Sequence, residues 1–238
     1  QASIALRNAE AHHAVNERAD TDALTGLGNH GAFQRTLGEL CDASAGRGKR
    51  RATDRRTVSL LMLDLDLFKG YNDRLGHPAG DALLHAVGGA IHNAARADDL
   101  VFRYGGDEFA LVLPDVDAVT AAIIAERVRV AVAKLTAGEA SPVTISIGVA
   151  TIPGDASDKN GLIAAADTAL YLGKQSGGDR IISAADVPTE MRDLRRTLDQ
   201  LARAALHAPG PGSAERSDMA GAVVATVGAR HARSKGAP

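Results

Sequence analysis

The sequence predicts a single α/β domain that occupies residues 21–184 of the chain. Along this segment, helix-like and strand-like hydrophobic patterns alternate, which is typical of a sheet covered by helices. A Gly-Gly pair interrupts a β-rich run and predicts a hairpin. A chain of 238 residues can bury one substantial core, with little left over for a second full domain.

The individual elements follow from hydrophobic periodicity and from the residues that break it. Phe33, Leu37 and Leu40, for example, recur at helical spacing. The predicted helices span residues 31–43, 79–95, 116–135 and 159–175. The predicted strands span residues 58–67, 143–152 and 180–183, and the predicted hairpin spans residues 101–113 and turns at Gly105 and Gly106.

Simpler patterns flank this domain. Residues 1–20 lack Gly and Pro and have a weak three-four repeat around Asn8, so we expect a helical signalling stalk, with an ordinary surface helix as an equal alternative. Residues 185–207 predict an amphipathic helix, and residues 208–238 predict a flexible linker or tail. Because the chain begins at Gln1 in mid-pattern, we expect a covalently linked upstream sensor domain outside this fragment.

Charge and cysteine content narrow the functional classes. The net charge of -2 gives no general affinity for nucleic acid, so none is expected as a partner. Cys41 is the single cysteine and cannot form an internal disulfide. Together with the lack of a signal-peptide pattern or a bilayer-length apolar stretch, this predicts a cytoplasmic location. The basic run at residues 46–56 predicts a solvated loop, with steering of an anionic substrate as the alternative.

Two pairs of carboxylates lie where a structural role explains them poorly. Asp64 and Asp66 end an apolar strand and project from one face, where like charges lose solvation and repel each other. A hard divalent cation would reverse that penalty, and Asp107 and Glu108 follow the Gly-Gly turn of the neighbouring hairpin. Oxygen donors without Cys or His predict Mg²⁺ or Mn²⁺ rather than zinc. GGDE alone fits a hairpin turn with exposed acids equally well.

A third group of polar residues follows Asp64 along the chain. Asn72 and Asp81 could read guanine, because aspartate accepts from the paired N1 and N2 donors while asparagine satisfies the remaining edge. Taken singly, Asn72 suits a turn or cap, His77 a surface position, and Asp81 the N-cap of the following helix. Only their joint spacing favours a binding site.

Taken together, six ordered motifs resemble the GGDEF family of diguanylate cyclases across residues 20–184. They are DALTGLGN (22–29), DLDLFKGYND (64–73), GHPAGDALL (76–84), RYGGDEFALVLP (103–114), ISIGVA (145–150) and ADTALYLGKQSG (166–177). The resemblance implies a central, mostly antiparallel sheet flanked by helices, like that of nucleotidyl cyclase and polymerase palm domains. It also implies an enzyme that converts two GTP molecules into cyclic di-GMP and two pyrophosphates.

The resemblance further implies a role for each matching residue. Asp64, the Leu65 carbonyl and Asp107 would bind metal, with two Mg²⁺ or Mn²⁺ ions per GTP half-site. Asp107 and Glu108 would be catalytic, with Asp107 as the base for the ribose 3′-hydroxyl. The implied substrate-binding positions are Phe68, Lys69, Asn72, His77, Asp81, Gly105, Gly106 and Lys174. Because one half-site holds one GTP, the reaction implies a homodimer.

A second site is implied by RADD at residues 96–99, nine residues before the Gly-Gly pair. Its offset matches the site at which the family's product, cyclic di-GMP, inhibits the enzyme, and it assigns that role to Arg96 and Asp99, with Arg127 as a further contributor. As a bare pattern, Arg-x-x-Asp also fits an ion pair at a helix end.

Two positions depart from the family pattern. The family often has Asn-Arg-Arg where this chain has Asn29, His30 and Gly31. It usually has arginine at the position of Gly178, so a phosphate contact is predicted to be missing, and Arg180 could compensate in part. The sequence therefore predicts an active diguanylate cyclase domain. The alternative is a non-catalytic module that senses cyclic di-GMP or GTP.

Overall fold

A computed structural model describes residues 20–44, 57–139, 142–193 and 197 of the chain. The predicted stalk up to residue 19, the basic loop at 46–56 and the predicted tail at 208–238 lie outside the described residues. Of the predicted helix at 185–207, residues 185–193 and 197 are described. Residues 189–193 and 197 are α-helical, but 185–186 belong to a short 3-10 helix (Ala184–Asp186) and 187–188 are not helical, so the predicted start at 185 is wrong. In the described parts of the chain, no helix combines the length and hydropathy needed to cross a bilayer.

A five-stranded sheet forms the centre of the domain, with β1 as its middle strand. Its strands are β1 (Val58–Asp66), β2 (Leu100–Gly105), β3 (Glu108–Pro114), β4 (Thr144–Ile152) and β5 (Ile181–Ser183). Their order in the sheet is β2-β3-β1-β4-β5. All neighbouring pairs are antiparallel except β4 and β5. The sheet is therefore mostly antiparallel, as predicted.

Helices cover both faces of the sheet. They are α1 (His30–Ser44), α2 (Phe68–Leu75), α3 (His77–Ala94), α4 (Ala118–Ala133) and α5 (Lys159–Gln175). Because side chains alternate along a strand, β1 divides its apolar residues between two cores. Leu61 and Leu63 pack with residues of α3 and α4, whereas Leu60 and Met62 pack with residues of α1 and α5.

The helices and strands predicted between residues 21 and 184 are present within one or two residues of their ends, but α2 was missed. This short segment, FKGYNDRL, contains a glycine and buries only Phe68 and Tyr71, so it has no long apolar repeat. Its entry is unusual, because Leu67 has a left-handed φ of 61° and is 81% exposed. The hairpin turn also differs slightly: Gly105 ends β2 and Glu108 begins β3, which leaves Gly106 and Asp107 in the turn.

The close approach of α5 to the sheet depends on Gly148 in β4. A Cβ atom at Gly148 would lie 2.0 Å from the Ala166 carbonyl oxygen and 2.4 Å from the Leu170 nitrogen. Both are backbone atoms of α5, so any larger residue at Gly148 would push the helix away from the strand. This contact sets where the C-terminal end of α5, with Lys174, lies relative to the end of β1.

Candidate active site

The site is built at the end of β1, where the apolar strand gives way to two carboxylates. Asp64 and Asp66 alternate with Leu63 and Leu65 and so project from the same sheet face as Met62, the face that α5 covers. Their surroundings nevertheless differ, because the two carboxylates have different neighbours on β4 and α5.

Asp66 is fully engaged with the protein. Its carboxylate accepts hydrogen bonds from Thr144 Oγ1 at 2.8 Å, from Ser146 Oγ at 2.7 Å and from the backbone nitrogen of Asp179 at 2.8 Å. These bonds tie the end of β1 to β4 and to the loop after α5. Asp66 is therefore a structural carboxylate that anchors this loop.

Asp64 is less completely engaged by the protein than Asp66. Its Oδ1 contacts Lys174 Nζ, and the same ammonium lies 3.4 Å from the Leu65 carbonyl oxygen. Glu108 stands directly opposite Asp64 in the pairing of β1 with β3. Burial raises the pKa of Asp64 to about 6; Lys174 opposes this shift, and the Asp107 and Glu108 carboxylates add to it.

The Gly-Gly turn brings the other two carboxylates to this place. The Leu65 nitrogen donates to the Asp107 carbonyl oxygen at 3.3 Å, so the turn lies beside the last residues of β1. The pKa of Glu108 is raised by burial and then by the nearby Asp107 and Asp167 carboxylates. A Cβ at Gly105 would lie 3.2 Å from Glu108 Oε2, whereas Gly106 is exposed and a Cβ there would meet no atom within 4 Å.

Arg103 holds the turn in position, a role that our sequence analysis missed. Its Nη1 lies 3.1 Å from both carboxylate oxygens of Asp22. Its Nε and Nη2 donate to the Gly106 carbonyl oxygen at 3.1 and 2.8 Å. Although burial opposes it, hydrogen bonds from Thr25 and the Arg103 guanidinium lower the pKa of Asp22. DALTG and RYGG carry these residues, but a contact between positions 81 residues apart leaves no local signal.

The groups at the end of β1 are oxygen donors of the type that bind divalent cations. Among the described residues, no group of three or more His, Cys, Asp and Glu side chains forms a metal site by itself. The predicted set, however, includes a backbone oxygen, and a cationic group already contacts two of its members, Asp64 and the Leu65 carbonyl. Partly buried carboxylates that repel one another are stabilised by such a charge, and oxygen donors suit Mg²⁺ or Mn²⁺.

The predicted guanine-binding residues lie around the junction of α2 and α3. Asn72 is half-buried on α2, and His77 and Asp81 are exposed in the first turns of α3. The helix begins at His77 with Gly76 as its N-cap, so the alternative that Asp81 is an N-cap is wrong. Of the preceding pair on α2, Lys69 is exposed and Phe68 is buried in the core.

The local backbone explains why position 178 is a glycine and not an arginine. Gly178 has a φ of +73°, and a Cβ there would lie 2.9 Å from Asp66 Cγ. An arginine in this backbone conformation would therefore collide with the carboxylate that anchors the loop. Arg180 folds back over the same loop, and its Nε donates to the Gly178 carbonyl oxygen at 3.0 Å.

Arg96 and Asp99 of the predicted product site lie in the turn that leads into β2. Asp99 is buried, and its Oδ2 accepts a hydrogen bond of 2.7 Å from the Arg96 backbone nitrogen. The Arg96 side chain is exposed. Arg127 is exposed on α4, a separate helix. Asp99 thus stabilises the turn through the backbone of Arg96.

Comparison with known proteins identifies the family. The family model "Diguanylate cyclase, GGDEF domain" matches residues 19–180. The chain is 36% identical over 183 residues to diguanylate cyclase A of Treponema denticola, covering 76% of this chain and 47% of that protein. It is 38% identical over 170 residues to diguanylate cyclase DgcM of Escherichia coli K12, covering 71% and 40%. The chain belongs to the GGDEF-domain diguanylate cyclase family, and it spans less than half the length of these two relatives.

Solved structures show the same fold. The coiled coil and GGDEF domain of DgcB from Caulobacter crescentus, in complex with c-di-GMP, matches with a TM-score of 0.67 and 31% identity over 76% of this chain and 94% of that chain. The GGDEF domain of PA1120 from Pseudomonas aeruginosa matches with a TM-score of 0.63 and 31% identity over 74% and 98%. The predicted palm-like fold is thereby confirmed.

The raised pKa of Asp64 generates a prediction about stability. The folded protein holds this proton more tightly than the unfolded chain, so the associated stability is full below the ordinary value of 3.8 and is lost as the pH rises through about 6. In EDTA at about pH 8, Asp64→Asn should therefore raise the free energy of unfolding by on the order of 2 kcal/mol. At about pH 4 the difference should be small.

Urea denaturation at the two pH values measures this effect, with Asp73→Asn, an exposed site on α2, as the control. Added Mg²⁺ should raise the melting temperature of the wild type more than that of Asp64→Asn. Equal unfolding free energies for wild type and Asp64→Asn at both pH values would contradict the electrostatic assignment.

Proposed function

We propose that this domain is a diguanylate cyclase that joins two GTP molecules into cyclic di-GMP and releases two pyrophosphates. The observation that carries the proposal is the meeting of Asp64, Glu108 and the Asp107 turn at the end of β1. The membership in a family of diguanylate cyclases supports it. A GTP-consuming domain with one free, buried cysteine fits a cytoplasmic location.

Asp64, the Leu65 carbonyl and Asp107 are the groups that would hold Mg²⁺ or Mn²⁺. When bound, two such ions per GTP half-site would offset the triphosphate charge and favour ionisation of the ribose 3′-hydroxyl. Lys174 contacts two of the three groups. Because its ammonium lies on a flexible stem, it can turn from Asp64 to a phosphate oxygen of GTP, and exposed Lys69 provides a second positive charge.

The reaction needs a proton acceptor, and Asp107 in the turn is placed to serve as one. The 3′-hydroxyl oxygen of one GTP attacks the α-phosphorus of the other, a P–O bond forms, and the bond from that phosphorus to the pyrophosphate oxygen breaks. Asp107 takes the hydroxyl proton. Glu108 lies beside it, and burial together with the Asp107 and Asp167 carboxylates raises the pKa of Glu108. The same step, between the 3′-hydroxyl of the second nucleotide and the α-phosphorus of the first, closes the ring and releases the second pyrophosphate.

The first prediction of this mechanism concerns Asp107. Asp107→Asn preserves the shape of the side chain and removes the charge that binds metal and accepts the proton, so cyclic di-GMP formation should fall at least about 100-fold. Chromatographic separation of products after incubation with GTP and Mg²⁺ measures the loss. Glu39→Gln, which changes an exposed acid on α1, should keep wild-type activity. Near-normal turnover of Asp107→Asn would refute the assignment.

Two copies of the domain must meet, since each half-site holds one GTP and the product contains two nucleotides. We therefore expect activity per protomer to rise with protein concentration until dimers saturate. Rate assays over a dilution series, with sedimentation at the same concentrations, measure this dependence. Constant activity per protomer at concentrations where only monomer sediments would rule out the two-copy mechanism.

Product feedback through Arg96 and Asp99 is the last part of the proposal. The exposed Arg96 guanidinium can donate in bidentate fashion to the O6 and N7 edge of guanine, and a free lone pair of Asp99 can accept from guanine donors. Arg127 on α4 offers a further cation. Because Asp99 leads directly into β2 and the Gly-Gly turn, bound product could hold two domains in a non-productive arrangement.

Arg96→Ala should relieve inhibition by cyclic di-GMP without lowering the initial rate. Wild-type inhibition should be non-competitive with GTP, because the two ligands bind at different places. Rate assays and calorimetry with cyclic di-GMP measure both effects, and Asp98→Ala, which changes an exposed neighbour in the same turn, serves as the control. Equal affinity of wild type and Arg96→Ala for cyclic di-GMP would show that Arg96 does not bind the product.

A further inference from the structure

Asn72 carries a polar atom that the protein leaves unsatisfied. Its Oδ1 is buried and has no hydrogen-bond partner, and it is the one such side-chain atom found in the described part of the chain. A buried acceptor without a partner is destabilising, because it has lost its hydrogen bonds to water. Native structures contain few of these groups, so each one calls for a physical explanation.

Gly80 creates the space that holds this oxygen. A Cβ atom at Gly80 would lie 1.8 Å from Asn72 Oδ1, 2.8 Å from Cγ and 3.2 Å from Nδ2. Real Cβ contacts are essentially never shorter than 3.0 Å, so the Asn72 amide lies directly against the bare Cα of Gly80. Gly80 is itself buried, and its nitrogen donates to the Gly76 carbonyl oxygen at 3.2 Å in the first turn of α3.

The position of this contact links it to base recognition. Asp81 follows Gly80 in the sequence and is exposed, so the Asn72 amide lies against the residue that immediately precedes Asp81 on α3. With Oδ1 covered by Gly80, the NH₂ group is the part of the amide left for a ligand. An amide donor beside a carboxylate acceptor complements guanine, which offers both acceptors and donors, better than adenine.

We infer that Gly80 is a specificity-determining positioning residue that fixes the Asn72 amide beside Asp81 and thereby selects guanine. The inference rests on the proposed function and extends it to a residue that makes no contact with the base itself. This role also accounts for the unsatisfied Asn72 oxygen, because the same contact that buries Oδ1 holds the amide in one orientation.

The test is Gly80→Ala, with Gly89→Ala as its matched control. Gly89 lies on the same helix, is exposed, and a Cβ there would meet no atom within 4 Å. Both changes give the same gain in helix propensity. Calorimetry with a non-hydrolysable GTP analogue and its adenosine counterpart should show about tenfold weaker guanosine binding for Gly80→Ala. Adenosine binding by Gly80→Ala, and both affinities of Gly89→Ala, should match the wild type.

A double-mutant cycle with Asn72→Ala separates positioning from general damage. Without the Asn72 amide, the Cβ at position 80 has room, so Asn72→Ala/Gly80→Ala should bind the guanosine analogue as Asn72→Ala does. If Gly80→Ala alone fails to fold, recovery of folding in the double variant supports the same contact. A further loss of guanosine affinity in the double variant, or failure of the double variant to fold when Asn72→Ala folds, would overturn the inference.

The outcomes also distinguish this inference from the proposed function. A wild type that does not prefer the guanosine analogue and makes no cyclic di-GMP would refute the proposed function and, with it, the role of Gly80. A wild type that prefers guanosine, alongside a Gly80→Ala variant that binds like Gly89→Ala, would overturn the role of Gly80 alone.

Discussion

The site depends on the cost of placing two carboxylates at the end of a buried strand. Water is largely excluded there, so each charge needs a partner within the protein. Asp66 finds two hydroxyl groups and a backbone N–H, which makes it part of the framework. Asp64 finds only partial compensation from Lys174, and its pKa is raised to about 6. The charge of Asp64 is therefore incompletely compensated within the protein, which is the basis for the metal-binding role that we propose for it.

The difference between Asp64 and Asp66 arises because segments that are distant in sequence are placed accurately around them. Lys174 reaches Asp64 because Gly148 lets α5 approach β4 at backbone distance. Glu108 stands opposite Asp64 because of the register between β1 and β3. The turn before Glu108 is held by Arg103, which ties the Gly106 carbonyl to the N-terminal segment. The acidic site is thus a product of the sheet register and of one helix packed unusually close.

Elements with a clear apolar pattern, including the short strand β5, could be predicted from the sequence, whereas the short polar helix α2 could not. The strand β1 and the helix α5 have continuous apolar patterns, so their faces, and hence the shared face of Asp64 and Asp66, followed from spacing. The helix α2 buries only two residues and was missed. The different fates of the two aspartates could not be predicted, because they depend on hydroxyl groups about 80 residues further along the chain.

The loop after α5 shows how a departure from the family pattern can be a coupled change. Gly177, Gly178 and Asp179 all have positive φ values, a conformation that costs free energy for residues with a Cβ. Asp66 holds the loop through the Asp179 nitrogen, and Arg129 holds the Asp179 carboxylate from α4. Within this loop, arginine at position 178 would strike Asp66. The conformation of this loop therefore excludes arginine at position 178. A positive charge to replace it has to come from a neighbouring residue, and Arg180 is the arginine that folds over the same backbone.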